Sequence, residues 1–489
     1  MDERPVNGGY GGHERQGGFG PHNLKALADI VGREYCRSHP VDLESYSYDS
    51  SPFIYSPAAV VIPGTIEEMA QVVSLCRRHG WPLTCRGAGT SLSGGAVARL
   101  GGVMLSTTRL NRLVEIDPLE ETVLVECGLV NLELQKALAP LGYMYPPDPA
   151  SQKASTLGGN VAENAGGIKG VKYGITKHHV LGLELILDDG SLVRTGALKR
   201  GLEFNEPDLT GIFLASEGTL ALVARALLRI TPLPAAFRTM SVVFDSLRDA
   251  GQAVASIIGE GIIPTALEIM DKRLIAALED YLRLGFPAGA EAMLLIEIDG
   301  LGPELDAQLA RLKEVCFKAG AVSLAEAESE ADREKLWLAR RSGNGAMGRL
   351  KPGSLVQDVT VPISSLPAML AEVQGIADRH GIVIVQMAHA GDGNLHPHIL
   401  FDPADPLEYA RCLKASADIF AAALRHGGTI TGEHGIGLEK VDFMAVEFTE
   451  AELGLMAAVK SGMDPTGILN PGKVLPRKWQ PRRGKGHNG

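Results

Sequence analysis

Three histidines fall within ten residues in His389-Ala-Gly-Asp-Gly-Asn-Leu-His-Pro-His. Imidazoles gathered this closely beside a Gly-Asp-Gly turn are suited to holding a divalent metal. Residues 382–387 read as a strand, Gly391-Asp-Gly-Asn as turn chemistry, and 395–401 as the returning strand. In such a hairpin His389 and His396 converge at the strand ends, and His398 shares the face of His396 by two-residue alternation. Two imidazoles and one carboxylate make a metal set. The carboxylate candidate is Glu433 in Thr431-Gly-Glu-His-Gly-Ile-Gly, where flanking glycines leave room for a substrate. A lone histidine is usually a satisfied polar group; three together favour the metal.

A second group of residues suits an anion. Cys85-Arg-Gly-Ala-Gly-Thr-Ser-Leu-Ser-Gly-Gly-Ala-Val follows a strand-like run, and its spaced glycines let successive N–H groups face one guest. Thr90, Ser91 and Ser93 add hydroxyl donors, so a diphosphate fits. Leu92 takes the place of the third glycine of a dinucleotide fingerprint, and no Gly-Lys-[Ser/Thr] follows, so neither a Rossmann loop nor a P-loop is expected. Tyr145-Pro-Pro-Asp-Pro-Ala, Ser155-Thr-Leu-Gly-Gly-Asn-Val-Ala-Glu-Asn-Ala-Gly-Gly and Lys172-Tyr-Gly supply the small residues and amides that wrap a flat ring. A third feature is Arg340-Arg341 after Trp337: an arginine fork pairs a carboxylate in a bidentate way that lysine cannot copy. A solvated helix face is the rival reading of that charged stretch, residues 328–341.

Elements must hold these groups in place. Residues 1–22 are Gly-rich and aperiodic and read as a disordered tail; residues 23–234 alternate short strands with helical patterns and form a first domain. Here 65–79 is an amphipathic helix, and 181–187 runs into an Asp188-Asp-Gly hairpin turn. Residues 235–426 form a second domain. Its helices are predicted at 247–259, opened by Asp245 and Ser246, and at 304–319, 366–380 and 407–426. Its strands are predicted to make an antiparallel sheet with helices on one face. Residues 427–489 follow as a C-terminal segment. The class is α+β.

Composition excludes several alternatives. The 489 residues carry 47 Lys+Arg against 58 Asp+Glu, a net −11 without a basic stripe, which argues against nucleic acid. No apolar run reaches the roughly 18–20 residues of a membrane span. The N-terminus lacks the apolar core of a signal peptide, so a cytoplasmic protein is expected. The six cysteines, at 36, 76, 85, 127, 316 and 412, include no Cys-x-x-Cys. Redox chemistry here therefore needs an organic cofactor or a non-thiolate metal.

Residues 86–95, 146–149, 158–167 and Ser216-Glu-Gly-Thr-Leu resemble the FAD domain of the vanillyl-alcohol oxidase/p-cresol methylhydroxylase (PCMH) superfamily. Trp337-Leu-Ala-Arg-Arg, Gln357-Asp-Val-Thr-Val-Pro, the 389–396 run, Gly432-Glu-His-Gly-Ile-Gly and Leu469-Asn-Pro-Gly-Lys-Val are similar to the FAD-linked D-2-hydroxyacid dehydrogenases. That group includes glycolate oxidase catalytic subunits and D-lactate dehydrogenases. The resemblance spans roughly residues 40–476. It implies a PCMH-type FAD domain of two α+β subdomains, a cap domain, and a C-terminal segment, residues 427–489, that returns to the FAD domain and completes the active site.

The resemblance carries noncovalent FAD to Arg86, Gly87, Ala88, Gly89, Thr90, Ser91, Ser93, Gly94, Pro147, Asp148, Thr156, Gly158, Gly159, Asn160, Asn164, Gly174, Glu217, Gly218, Val223 and Asn470. It carries a divalent metal (Zn, or Mn/Fe) to His389, His396 and Glu433, and the catalytic base to His434. Arg340, not Arg341, becomes the carboxylate clamp, with Asn344 and His398 beside the substrate. The activity implied is oxidation of glycolate or D-lactate to the 2-oxo acid, with hydride moving to flavin N5. Electrons would pass to a separate iron–sulfur subunit or electron-transferring flavoprotein. Peripheral attachment at the inner face of the cell membrane through such a partner, and a homodimer, are further expectations. The alternatives are a non-catalytic FAD-binding subunit and a D-2-hydroxyglutarate-type dehydrogenase.

The sequence also departs from its relatives. Ser91 and Ala221 replace glycines, Ala224-Arg225 replaces Thr-Glu, and Asn344 stands where some relatives place Thr. No Lys precedes Gln357-Asp358, which argues against a substrate with a second carboxylate.

Overall fold

In a computed structural model, residues 19–200, 207–287 and 289–481 are described, residues 199 and 200 by backbone alone. Most of the expected tail, residues 1–18, lies outside the described residues. Its last part is ordered structure instead. Gly20 is the N-cap and Pro21 the first residue of the helix Pro21–Val31, the position where a missing N–H costs nothing. The Phe19 ring also packs on Trp81 at 4.6 Å.

The chain divides into two compact units: 1–165, 175–232 and 433–489 in the first, 166–174 and 233–432 in the second. The first unit holds two main sheets. One orders Cys36–Arg37, Ala59–Val61, Val103–Ser106 and Leu83–Arg86, with the last three parallel. Parallel strands need a crossover, and the helix Ile66–His79 makes the one from Ala59–Val61 to Leu83–Arg86. Thr65 caps its start by accepting from Glu68 N, and Gly80 ends it at φ 63°. It buries Ile66, Met69, Val72, Val73 and Cys76, the stripe expected of a 3.6-residue period.

The other sheet is antiparallel, in the order Leu113–Asp117, Thr122–Glu126, Leu222–Arg229, Val180–Ile186, Leu192–Arg194. The Asp188-Asp-Gly hairpin joins its last two strands, with Gly190 at φ 87°. Leu83, Val103 and Leu105 of the first sheet share one core with Val123, Val125, Leu183 and Leu185 of the second.

The second unit is built on one antiparallel sheet. Its main order is Ala321–Glu326, Ala236–Phe244, Ala292–Gly300, Ala266–Asp271, Val383–His389, Asn394–Phe401, Gly353–Val356. The expectation of helices on one face alone is corrected. The strands Ala266–Asp271 and Asn394–Phe401 are buried at every position, so both faces are covered. Continuous apolar runs such as Ala292-Met-Leu-Leu-Ile are the signature of such strands, whereas a half-solvated sheet alternates. On one face Met270, Met293, Val385, Met387 and Leu400 pack with Leu274 and Leu278 of the helix Lys272–Leu282 and with Ala339, Ala346 and Met347. Helices Leu247–Gly259 and Leu366–His380 pack on the sheet and on each other, where Val242, Ile269, Leu294 and Ile384 are buried.

Candidate active site

The first unit presents a loop with unsatisfied backbone. The N–H groups of Gly87, Ala88, Gly89, Thr90, Ser91 and Leu92 donate to no other described residue. Consecutive free N–H groups of this kind form an anion cradle. Gly94, at φ 83°, sits where a Cβ would stand 2.8 Å from the Phe53 ring, so the turn needs glycine. Arg86 is buried and turns inward: its guanidinium donates to Tyr48 O at 2.7 Å and Ala96 O at 3.3 Å. It braces the loop.

Nearby in this unit, Thr156 caps the helix Leu157–Glu163, accepting from Gly159 N, and Asn164 ends it at φ 56°. Gly158 packs against Cys127, where a Cβ would approach to 2.6 Å. Asn160 is buried, and its Nδ2 has no partner among the described residues. An orphaned amide and a bare N–H cradle are what a flavin dinucleotide would satisfy, so these residues fit FAD. Pro147 O accepts from Asn131 Nδ2, and Asp148 is buried beside it in sequence. Gly218 lies at φ 65°, and Val223 lies in the strand Leu222–Arg229.

The returning segment is fastened to the same loop. Ser93 Oγ donates to His434 O at 2.9 Å, and Glu217 accepts Ile436 N and Gly437 N at 2.7 and 2.8 Å. Asn470 Nδ2 donates to Gly95 O and Glu217 O, and Lys473 Nζ to Gly95 O and Val97 O. Gly435, at φ 81°, leaves no room for a Cβ between the carboxylates of Glu163 and Glu217. Burial, then the Glu217 charge, pushes the Glu163 carboxyl well above its ordinary value. Burial also pulls the Lys473 ammonium down to about 7.

In the second unit, register assembles a polar zone on one sheet face. Glu268 pairs with His389, His389 with Asn394, and Glu297 with both Thr239 and Ala266. By two-residue alternation Glu268, Glu297, Asp299, His389, Asn394, His396 and His398 continue the face whose other end is the Met270–Met293–Met387 core. His389 and His396 meet edge to face at 5.0 Å between ring centroids. Asp358 is wholly buried 3.9 Å from His396 Nδ1 and accepts from Asn394 Nδ2, Thr431 Oγ1 and Gly432 N at 2.7, 2.7 and 2.9 Å. Chain continuity puts Glu433 one residue beyond that last anchor. His398 is buried, 3.5 Å from Ser354 Oγ.

The helix Glu330–Arg341 is bolted to this zone at i, i+4 and i+7. Arg333 forks onto Glu297 at 2.7 and 2.9 Å, and Trp337 Nε1 donates to the same carboxylate at 2.7 Å. Arg340 Nε donates to Glu268 at 2.6 Å. The charged run thus splits: Arg340 is buried, while Arg341 is exposed and paired with Glu334. The two terminal nitrogens of Arg340 make no bond with other described residues, so that end of the fork is free. Burial would raise the Glu268 carboxyl, but Arg340 and His389 reverse this and hold it below its ordinary value. Asn344 is exposed on the short helix Gly343–Met347. Gly174 ends the segment 166–174, which Lys172 and Tyr173 tie to Asp299, the tyrosine hydroxyl donating at 2.8 Å.

Sequence reasoning missed Glu268, Glu297 and Asp358 as site residues. A signal was present for the first: Glu268 is a lone carboxylate inside the apolar run Thr265-Ala-Leu-Glu-Ile-Met, and such a charge is kept in a core only when paired.

A bare anion cradle, an orphaned buried amide and a two-sheet α+β unit fit a flavin-binding oxidoreductase. The chain belongs to the FAD-linked oxidases: residues 233–474 match the C-terminal domain model of that family and 57–196 an FAD binding domain model. It is 39% identical over 438 residues to the glycolate oxidase subunit GlcD of Bacillus subtilis, covering 89% of this chain and 93% of that protein. It is 32% identical over 469 residues to a D-lactate dehydrogenase of Anaerostipes hadrus, covering 93% and 97%. A substrate-bound p-cresol methylhydroxylase shares the fold with TM-score 0.79 at 18% identity, covering 92% of this chain and 96% of that one. An alkyldihydroxyacetonephosphate synthase does so with TM-score 0.74 at 19%, covering 97% and 90%. The class is therefore PCMH-type α+β, and the enzyme is an FAD-linked oxidoreductase. No described helix is long and apolar enough to cross a membrane.

Proposed function

We propose that the protein oxidises a small D-2-hydroxy acid, glycolate or D-lactate, to the 2-oxo acid. The observation that carries this is the buried Arg340, whose free fork end lies in the same polar zone as the His389–His396 pair. Arg340 binds the substrate carboxylate by two parallel N–H bonds. His389, His396 and Glu433 suit a divalent ion by donor type, two imidazoles and one carboxylate. When bound, that ion would act as a Lewis acid on the α-hydroxyl, and FAD would take up the two electrons. His434 accepts the hydroxyl proton, a task that suits an imidazole near neutral pH. Its backbone is pinned by Ser93 and the Glu217 anchors, which limits the positions the ring can reach. Both named relatives, a glycolate oxidase subunit and a D-lactate dehydrogenase, act on 2-hydroxy acids, which supports this substrate class. The word subunit in one relative's name supports a separate electron-accepting protein, an iron–sulfur subunit or an electron-transferring flavoprotein.

The test is an anaerobic visible spectrum with D-lactate, L-lactate and glycolate added separately. Bleaching of the flavin band by D-lactate or glycolate but not by L-lactate is expected. A band that none of them bleaches would remove small 2-hydroxy acids as substrates.

A further inference from the structure

Two carboxylates in the polar zone of the second unit touch groups assigned above to substrate and metal, and neither belongs to the mechanism as stated. Glu268 is the more telling. One oxygen accepts Arg340 Nε at 2.6 Å, and the other lies 2.7 Å from His389 Nδ1. These partners are 72 and 121 residues away in sequence, and Glu268 itself is fully buried.

The chemistry of the two contacts is one-directional. Arginine keeps its proton at any working pH, so Arg340 is a donor only and Glu268 must accept. A carboxylate beside a permanent cation is ionised and has no proton of its own to give. The second bond therefore requires His389 to carry its proton on Nδ1. That leaves Nε2 unprotonated, the state a ligating nitrogen requires, and a ligating histidine usually has its other ring nitrogen held in this way.

We propose that Glu268 is a positioning residue that sets two parts of the site at once. It fixes His389 in the Nδ1–H tautomer, with Nε2 unprotonated as a metal ligand must be, and it fixes the arginine fork so that the two terminal nitrogens of Arg340 point away from the sheet toward substrate. The proposal rests on the roles given above to His389 and Arg340. One side chain thus couples metal affinity to carboxylate affinity. Glutamine cannot replace it: a Gln side chain has one acceptor oxygen and one donor nitrogen, so it can serve His389 or Arg340 but not both.

The experiment compares the wild-type holoenzyme with Glu268→Gln, His389→Ala and Arg340→Ala. Zn²⁺ and Mn²⁺ binding to metal-stripped protein is measured by titration. Binding of D-lactate is followed by perturbation of the flavin spectrum, and KM and kcat are measured separately. Glu268→Gln is expected to weaken metal binding roughly 10–100-fold, the usual cost of removing such a partner. It should also raise the D-lactate Kd about 10-fold or more, with FAD content and melting temperature near wild type. Loss of FAD together with a lowered melting temperature, and no separate change in metal or D-lactate affinity in the folded fraction, would mean that Glu268 only supports the fold.

The two single-site controls separate this proposal from the reading beneath it. If His389→Ala leaves metal binding unchanged and Arg340→Ala leaves D-lactate binding unchanged, the assigned roles fall. If those controls behave as expected and Glu268→Gln does not, the positioning role alone falls. A measurement that needs no altered Glu268 is the nitrogen NMR of ¹⁵N-histidine-labelled, metal-free wild type, with the His389 signals assigned by their loss in His389→Ala. Protonation at Nδ1 is expected, and protonation at Nε2 would overturn the proposal.

Discussion

The two units hold their chemistry by different means. The first offers backbone: six consecutive N–H groups from Gly87 to Leu92, glycines at positive φ, and hydroxyl or amide side chains that brace loops. The second works through charged side chains standing on one face of a sheet, each paired with a partner from another element. The difference fits what the proposed function asks each to hold. A diphosphate and a ring need many weak donors in fixed positions, which a glycine-rich backbone gives without side-chain entropy. A small hydroxy acid offers few handles, and so needs a few strong, pre-aimed charges.

Variants that strike the substrate chemistry should leave FAD binding intact, and variants of the glycine loop should do the reverse. The largest effect is expected for His434→Ala, whose ring hangs from the backbone-pinned segment of the first unit. Reduction of the flavin by substrate should fall about 10²–10⁴-fold with FAD still bound, as for loss of a general base. Stopped-flow bleaching at saturating D-lactate measures it, and a parental rate would remove His434 as the base. Next is Arg340→Lys. Keeping the charge but losing the fork should raise KM for D-lactate about 10–100-fold while the flavin spectrum stays unchanged. A KM equal to wild type would place the carboxylate elsewhere.

Gly94→Ala strikes the other side of the comparison. Strain at φ 83° and the approach to Phe53 should weaken FAD retention about 10-fold, leaving metal binding as in wild type. Equilibrium dialysis against FAD decides it.

The smallest effect on catalysis is expected at Asp271, which accepts Leu274 N and Gln386 N beneath the polar zone. Burial pushes its carboxyl up to about 6. An acid whose value is raised in the fold keeps its proton there longer than in the unfolded chain. Its contribution is therefore fully present below about pH 4 and is lost as pH rises through 6, by about 3 kcal/mol in all. Denaturant melts should show wild type losing stability relative to Asp271→Asn over that window, with turnover unchanged. A pH-independent difference would mean that the carboxyl titrates normally.

Much of the first unit could be read locally, because a backbone cradle is written in consecutive residues. The spacing of Gly87, Gly89 and Gly94 with Thr90, Ser91 and Ser93 appears in one window of sequence. So does the hairpin that brings His389 to His396. The capped helices 247–259 and 366–380 were placed to the residue, since their caps and periods are local too. The two-faced burial of the sheet was misread because strand length and helix alternation say nothing about which side each helix takes.

The residue types, their spacing within each motif, and with them the FAD loop and the histidine hairpin were determined by the sequence alone, because the forces involved act between near neighbours in the chain. What the tertiary structure decided was partnership across distance. It placed Glu268 between Arg340 and His389, and Asp358 under Asn394 and Gly432. It also moved residues 166–174 into the second unit. Strand register and helix docking fix those pairings, and both are settled by the burial of the whole sheet, not by any one segment.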